Sequence, residues 1–509
     1  MKKFIGLICL LLVLTMMILA FSACGNATDN PTGDKESSSE SKKADGQDPE
    51  GETEAQDGRL KPKIPESYDF GNQTLDFLVW YVNGWETTVR MYRDIASEGP
   101  TGDKVNDAVC ERNDYIEEQY KVDITLERMA QNTLVDTVKN EVLVGDCEYE
   151  VIYPRLLEFS GLFASDVFIN LYDTPNIDWD MPWWDQNSID NLEIADTLYL
   201  VATSLNVNDK DATAALAFNK DKCQDFGLDF FYQDVIDGEW TYDRLIEYCE
   251  VIGDPDTNGD GNGIADEEDF WAFLGKHDVS TSFFHGSGSR IITRDENGLF
   301  AFTIGSEDDI DAMDIIGDFM NQDYFYNHHK TGIDDTAYRH LFETNHGLFF
   351  WMRLDAVTDM RAAEVTFGIL PIPKLYEDQK NYYSTVSQHT TGLLSIPTSN
   401  QNDTLYMTGM ILEALAADSY YGLTKAYVDE SLKTKYSSDE ESRDMLTIIL
   451  NSRVFDPGLY FRFGSFDSTL QDMGAKRGSL AVAVQEDTKR VNEEIRQFHE
   501  KLGLVEPTS

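Results

Sequence analysis

Basic residues are scarce in this chain. Across 509 residues, 41 Lys and Arg stand against 92 Asp and Glu, a formal net charge of −51. That balance excludes nucleic acid and anionic surfaces as partners and leaves a neutral or cationic ligand. Cysteine is sparse too. Beyond Cys9 and Cys24 only Cys110, Cys147, Cys223 and Cys249 remain. Their spacings match no zinc pattern, and three ways of pairing them stay open beside four free thiols. The chain has no Gly-x-Ser-x-Gly elbow, no His-Glu-x-x-His and no phosphate-cradling loop, which removes the usual signatures of serine hydrolases, zinc peptidases and nucleotide enzymes. The pair His328-His329 reads as a loop rather than as metal ligands, and no segment repeats.

The first informative feature present is a leader. Lys2 and Lys3 precede an apolar run over residues 4–19, followed by Ala20-Phe21-Ser22-Ala23-Cys24-Gly25. Charge ahead of an apolar stretch orients the segment at a membrane, and small residues fit the groove of a signal peptidase. A transmembrane helix is the alternative, but a span needs roughly 18 to 20 apolar residues. The cysteine directly after the small residues resembles the bacterial lipobox. Residues 1–23 are then expected to be a signal peptide, and Cys24 to become an N-terminus carrying diacylglycerol and a further acyl chain such as palmitate. Each buried methylene contributes only about 0.8 kcal/mol, so two or three chains anchor stably where one does not. Residues 24–66 are nearly devoid of large apolar side chains and rich in Ser, Asp, Glu, Lys, Gly and Pro, the composition of a disordered tether.

From residue 67 onward about 440 residues have globular composition, more than one core usually supports, so two lobes are expected. Residues 75–81 form an apolar, β-prone run that ends at Asn83-Gly84-Trp85. Helical spacing over 106–120, a strand at 122–126, a helix at 134–144 and a strand at 149–153 complete a βαβαβ opening, the pattern of a doubly wound, mostly parallel α/β sheet. Ligands of such sheets collect at the carboxyl ends of strands. The rule points to Tyr81, Asn83 and Trp85 after the first strand, and to Tyr153 and Arg155 after the third. Farther on, Thr241 is an N-cap candidate with Asp243 in the first turn. Residues 367–373 read as a strand halted by prolines, and 406–417 and 443–450 as helices. Trp183 and Trp184 suit packing between lobes as well as they suit a cleft.

The sharpest chemical motif covers residues 256–269, where oxygen-bearing side chains alternate with glycines and end on carboxylates. A hard cation with six to eight oxygen ligands requires that alternation, so the loop is expected to hold structural calcium. One twelve-residue register takes Asp256, Asn258, Asp260, Asn262 through its carbonyl, and Glu267. No pair of flanking EF-hand helices is evident.

Four strings, in this order and behind a lipobox, carry a resemblance over about residues 69–498. They are Phe-Asn-Lys-Asp at 218–221, Gly-Glu-Trp-Thr-Tyr-Asp at 238–243, Phe-Glu-Thr-Asn-His-Gly at 342–347 and Phe-Gly-Ile-Leu-Pro-Ile-Pro at 367–373. The chain is similar to the bacterial extracellular solute-binding protein family 1, the sugar-binding lipoproteins of ABC transporters. The resemblance implies a periplasmic-binding-protein-like fold of two α/β lobes joined by a hinge: 67–213 with 349–397 as lobe 1, and 214–348 with 398–509 as lobe 2. It implies a monomer on the outer face of the cytoplasmic membrane, closing over a carbohydrate, in this family's pattern an oligosaccharide, and presenting it to ABC permease subunits. It also implies ligand contacts at Tyr81, Asn83, Trp85, Tyr153, Arg155, Phe284, His285, Trp351 and Arg353, aromatic platforms beside polar groups. A second calcium register, from Asn258 through Asp260, Asn262 and Ile264 to Asp266 and Glu267, resembles the loop of alginate-binding relatives. Two other classes remain: a secreted carbohydrate-active enzyme, which needs two carboxyls across one bond, and a sensor domain for a signalling partner.

Overall fold

The computed structural model describes residues 58–506 apart from 84–90, 98, 146, 164, 260, 262–265, 267, 327–336, 432–439 and 477. Strand β1 (Gln73–Tyr81) is central in a three-stranded parallel sheet of order β2-β1-β3. Leu75, Phe77, Leu78, Val79 and Trp80 are all buried, so both faces of β1 are covered, as a continuous apolar run in a parallel sheet requires. Helix α1 (Lys104–Tyr120) starts on Asp103, whose side chain accepts from Val105 N and Asn106 N, and stops at Lys121 in the left-handed region. The edge strand β2 (Val122–Ala130) begins by alternating buried and exposed residues. Helix α2 (Gln131–Val144) ends on Gly145 at φ +73°, and β3 (Val151–Tyr153) closes the expected βαβαβ unit.

The second sheet has five strands in the order β10-β4-β9-β5-β8. Strand β4 (Ala214–Asn219) is buried throughout. Helix α3 (Tyr242–Ile252) is capped by Thr241 as the sequence predicts. Strand β5 (Trp271–Leu274) leads into helix α4 (Asp278–Gly286), then the hairpin β6 (Ile292–Arg294) and β7 (Phe300–Phe302). Strand β8 (Phe325–Tyr326), β9 (Gly347–Arg353) and β10 (Phe367–Leu370) complete the sheet. β9 runs parallel to β5 and antiparallel to β4, which also pairs antiparallel with β10.

Strand β11 (Ser384–Thr385), helices α5 (Asn402–Tyr421) and α6 (Glu440–Asn451), strand β12 (Arg453–Val454) and helix α7 (Phe466–Lys476) follow. β11 pairs with β12, and Thr213 bridges Val386, so residues 213, 384–386 and 453–454 lie side by side. Arg453 ties this crossing together through ion pairs to Asp185 and, at 3.6 Å, to Asp209, which also meets Lys210 at 3.3 Å. Charges this buried are held by partners, because each ion alone would cost several kcal/mol.

Two expected boundaries move. Residues 349–370 belong to the five-stranded sheet through β9 and β10, not to the half built on β1, because their backbones pair with β4 and β5. Only the later part of that segment returns, with Ser395 bridging Ile152, Gly392 bridging Arg155 and Pro397 bridging Phe168. Helix α5, expected in the second half, packs on α1, where Arg112 Nη1 donates to Ser419 Oγ at 3.0 Å.

The strings that carry the resemblance are structural punctuation. Asn219 caps the helix Lys220–Phe226, and Asp221 Oδ2 accepts from Thr366 N. Trp240, fully buried, donates to Pro371 O at 2.9 Å. A Cβ on Gly347 would fall 2.3 Å from Leu274, so β9 approaches β5 at this point only as glycine. Trp183 and Trp184 are both fully buried, and Trp184 Nε1 donates to Glu413 on α5 at 2.9 Å. Cys110, Cys147, Cys223 and Cys249 are free thiols.

Candidate functional site

A cleft opens at one edge of the second sheet. Because β5 and β9 are parallel, their carboxyl ends reach the same edge, where open α/β sheets collect ligands. Trp351 and Arg353 stand two apart on β9 and therefore share a face; Met352 points into the opposite core. Ala214 lies directly across from Arg353, and its small side chain leaves room. Helix α4 begins just past β5 and brings Asp278, Thr281 and Ser282 to the wall. Thr385, Ser387 and Gln388 come from the crossing segment, and Gln471 from α7.

The wall is charged but balanced. Lys276 Nζ is 2.9 Å from Asp278 and 5.8 Å from the Trp351 ring centroid, a cation–π distance, and Arg353 pairs with Asp355 at 3.0 Å. Burial works to raise the Asp278 carboxyl, but Lys276 and the His277 ring outweigh it and hold it well below the usual carboxylate range. Among the described residues, Thr281 Oγ1, Trp351 Nε1 and Arg353 Nε are buried with no hydrogen-bond partner. Each such atom costs about 1 to 3 kcal/mol when nothing pairs with it, and three of them gather at this wall.

Of the residues singled out from sequence, Trp351 and Arg353 are brought together here. Tyr81 is half-buried at the end of β1 and Asn83 is exposed; neither is on this wall, and Trp85 lies outside the described residues. Tyr153 stacks on Phe77 at 6.5 Å inside the first core, where burial pushes its hydroxyl up. Arg155 is neither a cleft ligand nor a surface ion: it is buried, its Nε donates to His389 O at 2.8 Å, its Nη1 meets Glu158 at 3.1 Å, and its guanidinium lies over Trp80. It is a strut between β3 and the crossing segment. Phe284 and His285 are fully buried; His285 lies on the same face of α4 as Asp278, Thr281 and Ser282, but one turn further on it meets Thr385 rather than the open cleft. The missed residues, Asp278, Thr281, Ser282, Thr385, Ser387, Gln388 and Gln471, are ordinary polar side chains, and only their positions in α4, the crossing segment and α7 mark them.

In the loop read as a cation site, Asp260, Asn262, Ile264 and Glu267 lie outside the described residues, and the Asn258 side chain with them. The described part contains a turn around Asp256 O. Gly259 N and Gly261 N both donate to Asp256 O, Gly261 has φ +72°, and Asp266 N donates to Asp269. No cluster of three or more metal-ligating side chains occurs among the described residues. Nor is any described helix long and apolar enough to cross a membrane.

No family model matches the chain, and no curated protein matches it. Solved structures do. A cyclo/maltodextrin-binding protein complexed with maltotetraose aligns at 10% identity and TM-score 0.53, over 82% of this chain and 97% of that one. An ABC substrate-binding protein from Listeria monocytogenes in complex with cycloalternan aligns at 11% and 0.51, over 85% and 100%. The maltose/maltodextrin-binding domain of Bdellovibrio bacteriovorus bound to maltotriose aligns at 13% and 0.51, over 83% and 100%. Likeness at such identities establishes architecture: the chain has the two-lobed, periplasmic-binding-protein-like α/β fold.

Proposed function

We propose that the chain is an extracytoplasmic solute-binding protein that takes a carbohydrate, an oligosaccharide, into the cleft beside Trp351 and passes it unaltered to an ABC importer. The observation that carries the reading is the wall itself: an indole with an unpaired Nε1, a guanidinium Nε and a threonine hydroxyl, all buried and without partners among the described residues. Sugars offer C–H faces to indoles and hydroxyls to donors and acceptors, which is the complement of that wall. The names of the fold's neighbours, with maltotetraose, maltotriose and cycloalternan bound, support the same class.

Binding without chemistry is favoured by the charges. Asp278 is the one carboxylate among the described residues of the wall, and Lys276 keeps it ionised. A glycosidase needs a second carboxyl across the bond, held protonated. A thermal-shift screen against a neutral glycan panel, followed by mass spectrometry of the hit after long incubation, tests the reading. Stabilisation with intact glycan supports it; cleaved glycan, or no hit, sinks it.

Anchoring through Cys24 is part of the same proposal and rests on the sequence. Radiolabelled palmitate incorporated by wild type and not by Cys24→Ser would support it; equal labelling would refute it. The proposal also includes calcium in the 256–269 loop, supported by the oxygen alternation and by the turn around Asp256 O.

A further inference from the structure

Thr385 on the cleft wall is the end of a buried chain of three groups. Its Oγ1 is 2.9 Å from His285 Nδ1, and His285 Nε2 is 3.1 Å from Asp456 Oδ2. His285 is fully buried, Asp456 is 1% exposed and Thr385 5%. The carboxylate of Asp456 is occupied as an acceptor on both oxygens, by Ile291 N at 2.7 Å, Ile292 N at 3.2 Å and Gly458 N at 2.7 Å. Its remaining bond is therefore one that the imidazole donates. Burial, reinforced by Arg290, keeps the ring below its ordinary pKa against the pull of Asp456, so the ring is neutral and carries one proton. With that proton on Nε2, Nδ1 is bare and can only accept. Among the described residues, the donor within its reach is the hydroxyl of Thr385.

We propose that Asp456 and His285 turn the Thr385 proton inward, so that the cleft meets Thr385 only as a hydrogen-bond acceptor and selects ligands that bring an O–H or N–H to it. Trp351 Nε1 and Arg353 Nε, on β9, can only donate. Thr385 thus offers lone pairs where Trp351 and Arg353 offer N–H groups. A sugar diol, each hydroxyl giving one bond and accepting another, satisfies both. A group that only accepts, such as a carboxylate or sulfate ester, leaves Thr385 facing its lone pairs. The selection of free hydroxyls over anionic sugars deepens the carbohydrate reading above and rests on it. His285 and Asp456 touch no ligand here; they are positioning residues.

The tautomer is checked without any ligand. Nitrogen NMR of the histidine-labelled chain at neutral pH, with His285 assigned by its loss in His285→Gln, is expected to show Nε2 protonated and Nδ1 bare. A proton on Nδ1, alone or in an imidazolium, overturns the proposal. Calorimetry with maltotetraose, cellotetraose and triacetylchitotriose follows. For whichever glycan binds, Thr385→Val should weaken affinity roughly tenfold and Thr385→Ser restore it to within about twofold, since one buried acceptor is lost and regained. Equal affinity of Thr385→Val and wild type overturns the proposal. So does cleavage of a probe that stops in Thr385→Val, which would make the hydroxyl a nucleophile. If no neutral glycan binds while the NMR shows the expected tautomer, the carbohydrate reading falls and the fixed acceptor stands.

Discussion

Trp351 and Arg353 entered through the resemblance, as an aromatic platform beside a polar group, and the structure adds that two positions spaced by two on β9 share a face. The place of His285 was not legible. In the stretch Phe-Phe-His-Gly-Ser-Gly it reads as a polar group beside aromatics, and only the contact with Thr385, 100 residues on in the chain, shows that it sits behind the wall. Arg155 was read as either ligand or surface ion, and became neither, because the carbonyl it meets, that of His389, lies far away in sequence. At this scale the decisive test is Trp351→Phe, which keeps an aromatic face and removes the Nε1 donor. Affinity for a bound oligosaccharide should fall about tenfold by calorimetry while the chain still melts cooperatively, at a temperature lowered by the smaller ring at a buried position. An unchanged dissociation constant would move the site elsewhere.

Elements were read well where the apolar pattern was local. β1, α1, β2, α2 and β3 lie where the periodicity places them, with ends that differ by a few residues as caps such as Asp103 dictate. Partnership between elements was not legible, because β4 finds β9 and β10 across more than one hundred residues of chain, and nothing in either strand names the other. One long-range contact of α5 carries a pH consequence. Glu413 is buried against Trp184, and burial raises its carboxyl to about 7. The folded-state value exceeds the unfolded one, so this group's stabilising contribution is complete below the ordinary glutamate range and is lost as pH rises through about 7. Glu413→Gln keeps an acceptor for Trp184 and cannot ionise. Denaturant melts should show the variant gaining up to about 3 kcal/mol on wild type at mildly alkaline pH and little in acid. A constant difference at all pH values would show that Glu413 is not the titrating group.

For the whole molecule, the two-lobed architecture and a polar cleft were both expected, but the assignment of segments to halves was shifted by residues 349–370 and by α5. The ordered strings that suggested the assignment are caps, close approaches and core residues, which identify a fold more securely than they locate its boundaries. Two expectations belong at this scale. Solution scattering should show the radius of gyration decreasing when a binding glycan is added, as closure around a ligand requires; an unchanged profile would argue for a rigid pocket. Chelation of calcium should lower the melting temperature, because an ion bound only to the native state at about 100 times its dissociation constant contributes about 2.7 kcal/mol. A melting curve indifferent to chelator would remove the cation from the loop at 256–269.

The crossing at residues 213, 384–386 and 453–454 has a mechanical outcome. Three strips of backbone hydrogen-bonded edge to edge, with Arg453 pinned between Asp185 and Asp209, cannot flex one at a time. Thr385 sits on the middle strip of the three. On the proposed function, a guest held by that hydroxyl bears directly on the place where the strips are tied.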